Sequence, residues 1–252
     1  MQEIKTIQEW KDYRKKIGTE ELGFVPTMGA LHEGHLCLVR HSLRENKKTV
    51  VSIFVNPAQF NDPDDLENYP KDYEADCRLL EKEGVDCVFQ PMPKEIYADK
   101  YLYKVIEDKE SKDLCGLDRP GHYDGVLSVI LKFLNLIEPQ KAYFGEKDYL
   151  QYKLVKGMAE AFFLKTEIIA SPTIRDPDGL AMSSRNLRLN PEERELASHF
   201  PRLLHADLTA ERIREEIQSQ GIDVDYIKEK HGRRYGAVNV GPVRLIDNIS
   251  IP

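Results

Sequence analysis

In the run Thr49-Val-Val-Ser-Ile-Phe-Val55 only Thr49 and Ser52 are polar, and β-branched side chains dominate. A strand of that composition has no face to offer water, so it must lie in a sheet covered on both sides, the setting of parallel sheets. Similar short runs recur at Leu22-Gly-Phe-Val-Pro26, Asp86-Cys-Val-Phe-Gln90, Lys141-Ala-Tyr-Phe-Gly145 and Thr166-Glu-Ile-Ile-Ala170. Helical patterns lie between them. One covers 35–47, with apolar positions at 36, 38, 39 and 43. Another is opened by Pro70 and closed by Gly84, with Tyr73, Cys77, Leu79 and Leu80 inward. A third runs over 125–137 to the stop at Pro139, and a fourth over 149–163 behind Asp148. These spacings are helical by apolar period and by their terminal residues. Strand–helix–strand alternation predicts a parallel sheet with right-handed crossovers. Asn56-Pro57 ends the run at 49–55, and a polar loop is predicted from there to Asn68.

From about Ile174 the character changes. Residues 191–219 read as charged helix, and short strands are predicted at Ala237-Val-Asn-Val240 and Arg244–Ile249. The expected fold is therefore α/β: a Rossmann-like parallel sheet with helices on both faces over residues 1–173, plus a smaller α+β C-terminal domain over 174–252. The turn Asp176-Pro-Asp-Gly179 is placed near the hinge. At 41% hydrophobic and 31% charged residues the composition is that of an ordinary soluble globular protein. A net charge of −7 argues against nucleic acid as a general partner but leaves nucleotides and small acids open. No apolar run approaches the roughly 18 residues of a membrane span. The stretch Met1–Trp10 lacks a signal-peptide core and is expected to be native structure. The four cysteines (Cys37, Cys77, Cys87, Cys115) show no CxxC or zinc-finger spacing, so reduced thiols and a cytoplasmic location are expected.

The segment Pro26-Thr-Met-Gly-Ala-Leu-His-Glu-Gly-His35 puts His32 and His35 where a strand meets a helix N-terminus, which attracts phosphate. Gly29, Ala30 and Gly34 are small enough to let backbone approach a bulky ligand. The pair lacks the i,i+4 spacing of a zinc-protease helix, and no third ligand is evident. Met182-Ser-Ser-Arg185 offers two hydroxyls beside a guanidinium, a set suited to phosphate oxygens. Ligands of open α/β sheets sit at the carboxyl ends of the strands. His32/His35, Asn56/Gln59, Gly145–Asp148 and the segment after Pro172 all fall at such ends.

The histidine and Ser-Ser-Arg elements together resemble the HIGH and KMSKS signatures of the nucleotidyltransferase superfamily. Five strings narrow the match: Pro26–Arg40, Ser52-Ile-Phe-Val-Asn-Pro-Ala-Gln-Phe60, Arg119–Val126, Tyr143-Phe-Gly-Glu-Lys-Asp-Tyr149 and Asp178–Asn186. In this order, over essentially the whole chain, they resemble the pantothenate synthetase (pantoate–β-alanine ligase) family, as does the closing Val243–Ile249. The resemblance implies a two-step reaction of ATP, pantoate and β-alanine through a pantoyl-adenylate, Mg²⁺ carried mainly on the nucleotide, and a homodimer. It implies an ATP site from Met28, Gly29, Ala30, Leu31, His32, Glu33, Gly34 and His35, from Gly145, Glu146, Lys147 and Asp148, and from Ile174, Met182, Ser183, Ser184 and Arg185. Within it His32 and His35 are the catalytic pair, with His35 the proton donor. Lys147 and Arg185 hold the β- and γ-phosphates, helped by Ser183 and Ser184. Asp148 and Gly145 meet the ribose; Met28 and Ile174 line the nucleotide, and Ile174 and Met182 offer backbone groups to adenine. Gln59 and Gln151 match the pantoate-binding pair, with Asn56 and the Arg119–His122 segment bordering the same pocket. Asp76 matches a position near the magnesium, although its helix pattern alone reads it as a surface carboxylate.

Two rival readings fit these residues less well. A transferase acting on a phosphorylated acceptor calls for Arg or Lys where Asn56, Gln59 and Gln151 stand. A regulatory module that has lost catalysis fits poorly with retention of both histidines, Lys147 and Arg185. Two departures from the family pattern are noted: Gly232-Arg-Arg-Tyr-Gly236 in place of a longer hairpin region in a shortened C-terminal lid domain, and Leu150 in place of a second glutamine.

Overall fold

The computed structural model of the chain describes residues 1–61 and 63–251. They form two compact units, one of residues 1–31, 35–145 and 150–171, the other of 32–34, 146–149 and 172–252.

The first unit opens with β1 (Gln2–Ile4) and α1 (Ile7–Ile17), whose start is closed by a reciprocal Thr6–Glu9 capping box. There follow β2 (Leu22–Thr27), α2 (Glu33–Glu45), β3 (Lys48–Ile53), the short α3 (Pro63–Glu67), α4 (Tyr73–Glu83) and β4 (Cys87–Phe89). Short helices α5 (Pro93–Ile96) and α6 (Cys115–Asp118) lead to the long α7 (His122–Ile137), then β5 (Lys141–Gly145), α8 (Tyr149–Ala161) and β6 (Glu167–Ser171). The six strands are all parallel, in the order β1-β4-β3-β2-β5-β6.

The strand period explains why both faces are covered. In β2, Val25 packs with Leu38, Val39, Val51, Leu80 and Val88. Its neighbour Phe24 points the other way and meets Phe133 of α7 edge-on at 5.9 Å. Phe54 and Phe89 meet the same Phe133 ring at 5.6 and 6.0 Å, and Trp10 of α1 closes the cluster on Phe89 at 5.6 Å. The Trp10 indole N–H is not lost to this burial, since it donates to Leu136 O at 2.8 Å.

The second unit holds α9 (Pro191–Ala197), α10 (His199–Leu204), α11 (Ala210–Ser219) and an antiparallel sheet of β7 (Asp223–Lys230), β8 (Arg233–Val240) and β9 (Val243–Ser250) in that order. Phe200, Leu204, Ile213, Ile217, Val238 and Leu245 are among its core residues. Among the described residues no helix is long and apolar enough to cross a membrane.

The parallel sheet and the small α+β C-terminal part are as expected; several details differ. The helix assigned to Pro70 begins at Tyr73, because the Asp72 carboxylate accepts the Ala75 N–H at 2.9 Å and caps it. The segment from Pro57 to Asn68 is not a plain loop: it contains a 3₁₀ turn at Pro57–Gln59 and α3, while Asp62 lies outside the described residues. Residues 233–236, noted as standing in place of a longer hairpin region, are the first half of β8, paired with β7 and β9 on its two sides.

Candidate active site

The strand order reverses between β2 and β5, which are neighbours although the chain runs from β2 through β3 and β4 before reaching β5. This is the topological switch point, where ligands of such sheets bind beyond the strand carboxyl ends. The segments leaving those two ends carry Met28–His32, which runs into α2 at Glu33, and Glu146–Asp148.

In the first unit the loop after β2 is held from α4. Asp76 accepts the Ala30 N–H on one carboxylate oxygen at 2.9 Å and the Leu31 N–H on the other at 2.7 Å. Ala30 has φ of 50°, a left-handed conformation that is unfavourable for a residue with a Cβ, and these bonds keep it there. Asp76 is thus no surface carboxylate: it is 3% exposed. Helix periodicity places it outward because its partners lie far away in sequence. Burial pushes its carboxyl above the ordinary value, with the two N–H bonds pulling the other way. His35 is the third residue of α2 and half-buried.

Gln59 donates from Nε2 to Met28 Sδ at 2.8 Å, a weak acceptor that a substrate oxygen can replace. Asn56, expected to border the substrate, is 1% exposed and fully occupied. Its amide donates to Gln59 Oε1 and Gly125 O, each at 3.1 Å, and its oxygen accepts from Ala58 N at 3.2 Å and Tyr97 OH at 2.5 Å. Its part is to orient Gln59. His122 supports the same residue from behind, donating from Nδ1 to Gln59 O at 2.8 Å. Gly125 lets α7 come this near, since a Cβ there would stand 2.2 Å from Ala58 O. Nothing in the local sequence singles out Tyr97 or Gly125 for this role. Gln151 is the third residue of α8 and half-buried, and Leu150 beside it is buried.

In the second unit the structure gathers much of the expected phosphate set. Gly34 N donates to His32 Nδ1 at 3.1 Å, which leaves the ring proton of neutral His32 on Nε2. A Cβ at Gly34 would lie 2.9 Å from that ring, so glycine leaves room for the ring in this position. Burial first, and then the positive charge of Lys147, push His32 down to about 4, against opposing pulls from Asp176 and Asp148. From sequence Asp176 reads only as a turn residue; it is held by Arg194 at 2.7 Å. Lys147 lies 3.6 Å from the Asp148 carboxylate. Ser183 caps the 3₁₀ turn Ser184–Arg188 by accepting Arg185 N, and Ser184 is buried. Met182 N donates to Ile174 O at 3.0 Å, a bond that ties together the two residues expected to offer backbone groups to adenine. Among the described residues no group of three or more His, Cys, Asp or Glu is arranged to hold a metal.

The lowered pKa of His32 ties its protonation to stability. Because the folded value lies below the ordinary 6.5, the unfolded chain takes up more protons. The ring's contribution to stability is complete above about pH 6.5 and is lost as the pH falls toward 4. An NMR titration of His32 is expected to show a midpoint near 4; a midpoint near 6.5 would contradict the environment described.

A parallel sheet whose switch-point strands lead into two histidines at a helix start and into a lysine is the layout of a nucleotide-binding α/β enzyme. The family model described as pantoate-beta-alanine ligase matches residues 1–250. The pantothenate synthetase of Legionella pneumophila (strain Lens) is 47% identical over 249 residues, covering 98% of this chain and 99% of its own length. That of Bdellovibrio bacteriovorus is 49% identical over 245 residues, covering 97% and 96%. The crystal structure of pantoate-beta-alanine ligase from Francisella tularensis, complexed with beta-gamma ATP and beta-alanine, superposes with a TM-score of 0.95 at 39% identity, covering 99% of this chain and 97% of that one. Pantothenate synthetase from Thermus thermophilus gives 0.91 at 36% identity with full coverage of both chains. The chain belongs to the pantoate–β-alanine ligase family.

Proposed function

We propose that this chain condenses pantoate with β-alanine at the expense of ATP, through pantoyl-adenylate, releasing pyrophosphate and AMP. The observation that carries the reading is the grouping of His32, Lys147 and the Met182–Arg185 turn in one unit, in a family member matched over residues 1–250. The pantoate carboxylate attacks the α-phosphorus and pyrophosphate leaves. The β-alanine amine then attacks the acyl carbon, loses a proton, and AMP leaves. Such chemistry asks for alignment and for neutralisation of charge, with little covalent work by the protein.

His32 acts as a neutral donor from Nε2 to a phosphate oxygen. Lys147 and Arg185 supply the positive charge on the β- and γ-phosphates, with Ser183 and Ser184 beside them, and His35 protonates the departing pyrophosphate. Gly145 and Asp148 meet the ribose, while Met28 and Ile174 line the nucleotide. Gln59, oriented by Asn56, and Gln151 take pantoate. Asp76 works on the backbone of Ala30 and Leu31, and no cage of protein ligands is at hand among the described residues. Mg²⁺ therefore fits as an ion carried on the triphosphate oxygens. The family likeness makes a homodimer the proposed assembly. A cytosolic setting is supported by four cysteines without a disulfide among the described residues.

The test is pyrophosphate release from ATP, Mg²⁺ and pantoate, with and without β-alanine, followed by product mass. Sustained release that needs β-alanine, with AMP and an amide of pantothenate mass, supports the ligase. A product that retains AMP supports a transferase, and ATP binding without turnover supports a silent module. In the same assay Gln59→Ala is expected to raise KM for pantoate about 10-fold while moving KM for ATP little, as loss of one substrate hydrogen bond predicts. Equal changes in both would make Gln59 structural.

A further inference from the structure

We infer that Asn248 is a positioning residue for Lys147, that Arg233 holds Asn248 in its orientation, and that the grip on the triphosphate depends on this pair. The inference rests on the reading of Lys147 as the phosphate-holding cation. Asn248 lies near the end of β9 and is 3% exposed. Its single amide nitrogen donates twice, to Glu146 O at 2.8 Å and to Lys147 O at 2.9 Å. Those carbonyls belong to the two peptide units that flank the Lys147 Cα. Each unit is planar, so anchoring both settles φ and ψ at Lys147 and with them the direction in which its side chain leaves the backbone. A bond to one carbonyl alone would leave the other plane free to turn. A lysine stem is long and flexible, and its root is the part the fold can set.

Arg233, the first residue of β8, decides which way the Asn248 amide points. Its Nε donates to Asn248 Oδ1 at 2.7 Å, which turns the NH₂ group toward the two carbonyls. The same guanidinium reaches the Glu146 carboxylate at 3.4 Å and stacks 4.0 Å from the Tyr149 ring centroid, gripping the loop on both sides of Lys147. Asp247 adds a rear support: it accepts the Asn248 N–H at 2.8 Å and is itself held by Arg175 at 2.6 and 3.0 Å. The sheet does not need these side chains for its own pairing, because β8 and β9 are in backbone register from Arg233↔Ser250 to Val240↔Val243. Two sequence elements without a part in the reaction, Gly232–Gly236 and Val243–Ile249, thereby acquire one.

The deciding experiment is a double-mutant cycle read as kcat/KM for ATP in pyrophosphate release. Asn248→Leu removes both donors at nearly constant size and adds no charge. It is expected to lower kcat/KM for ATP about 10-fold or more, the usual scale for a lost positioning contact, and to leave KM for pantoate within about two-fold. Combined with Lys147→Ala it is expected to add less than about two-fold, since no lysine remains to be aimed. Full multiplication of the two losses overturns the inference and makes Asn248 structural, as does near-normal activity of folded N248L. Near-normal activity of K147A alone overturns instead the reading of Lys147. Should N248L be recovered unfolded, Arg233→Lys runs the same cycle, keeping the charge while losing the Nε–H that orients Asn248, and the same outcomes decide.

Discussion

Replacing His35 by alanine is expected to slow pyrophosphate release by roughly 10²–10⁴-fold, the range for loss of a general acid. The ring stands in the first turn of α2, where backbone N–H groups and the helix dipole favour the negative charge that builds on a leaving pyrophosphate. The helix itself is fastened by other residues: Leu36, Leu38 and Val39 are buried, while His35 is only half-buried. Circular dichroism and the thermal midpoint should therefore change little. A folded variant with near-normal turnover would take His35 out of the chemistry.

The second large effect concerns stability. Asp76→Leu strips the acceptor from each of the part-buried Ala30 and Leu31 N–H groups. Leaving a buried group unsatisfied costs about 1–3 kcal/mol, and because these two are only part-buried a total in the lower half of the range, about 3 kcal/mol, is expected. For a chain of this size that corresponds to a fall of roughly 6–12 °C in thermal midpoint. Activity should fall too, because Ala30 and Leu31 immediately precede His32 and a displacement of about 1 Å at a reacting group can cost on the order of 10²-fold. Calorimetry of the ligand-free protein separates this from a role as metal ligand. An unchanged midpoint, with a loss of activity that extra Mg²⁺ restores, would move Asp76 from the backbone to the ion.

These two residues also mark how far the chain is legible before it folds. The apolar runs are legible because a two-sided burial requirement acts residue by residue: Lys141–Gly145 is located to the residue and Leu22–Thr27 to within one. The His32–His35 element stands out in the sequence because chemistry and small residues coincide within ten positions. Asp76 is not, since what turns it inward is a pair of N–H groups 45 and 46 residues upstream. Asn56 reads as a substrate contact for the same reason, its Gly125 and Tyr97 partners being distant in sequence. The strand β7 escapes because Asp223-Val-Asp-Tyr-Ile-Lys-Glu-Lys230 has too few apolar residues to stand out from a charged surface. Arg233 reads as part of a hairpin region and Asn248 as an ordinary strand polar residue, and nothing local discloses that both reach the loop after β5.

The way the second unit is assembled has a consequence for anyone who would cut or recombine this protein. It is drawn from residues 32–34, 146–149 and 172–252, so the chain passes between the two units five times. A fragment beginning at Pro172 would carry Asn248 without the carbonyls it holds and Arg233 without Glu146. Grafting that fragment from a relative would likewise import an anchor fitted to someone else's loop. The exchangeable cassette is therefore three separate stretches moved together, and a chimera made at the single junction near residue 172 tests compatibility between loops rather than the transfer of a module.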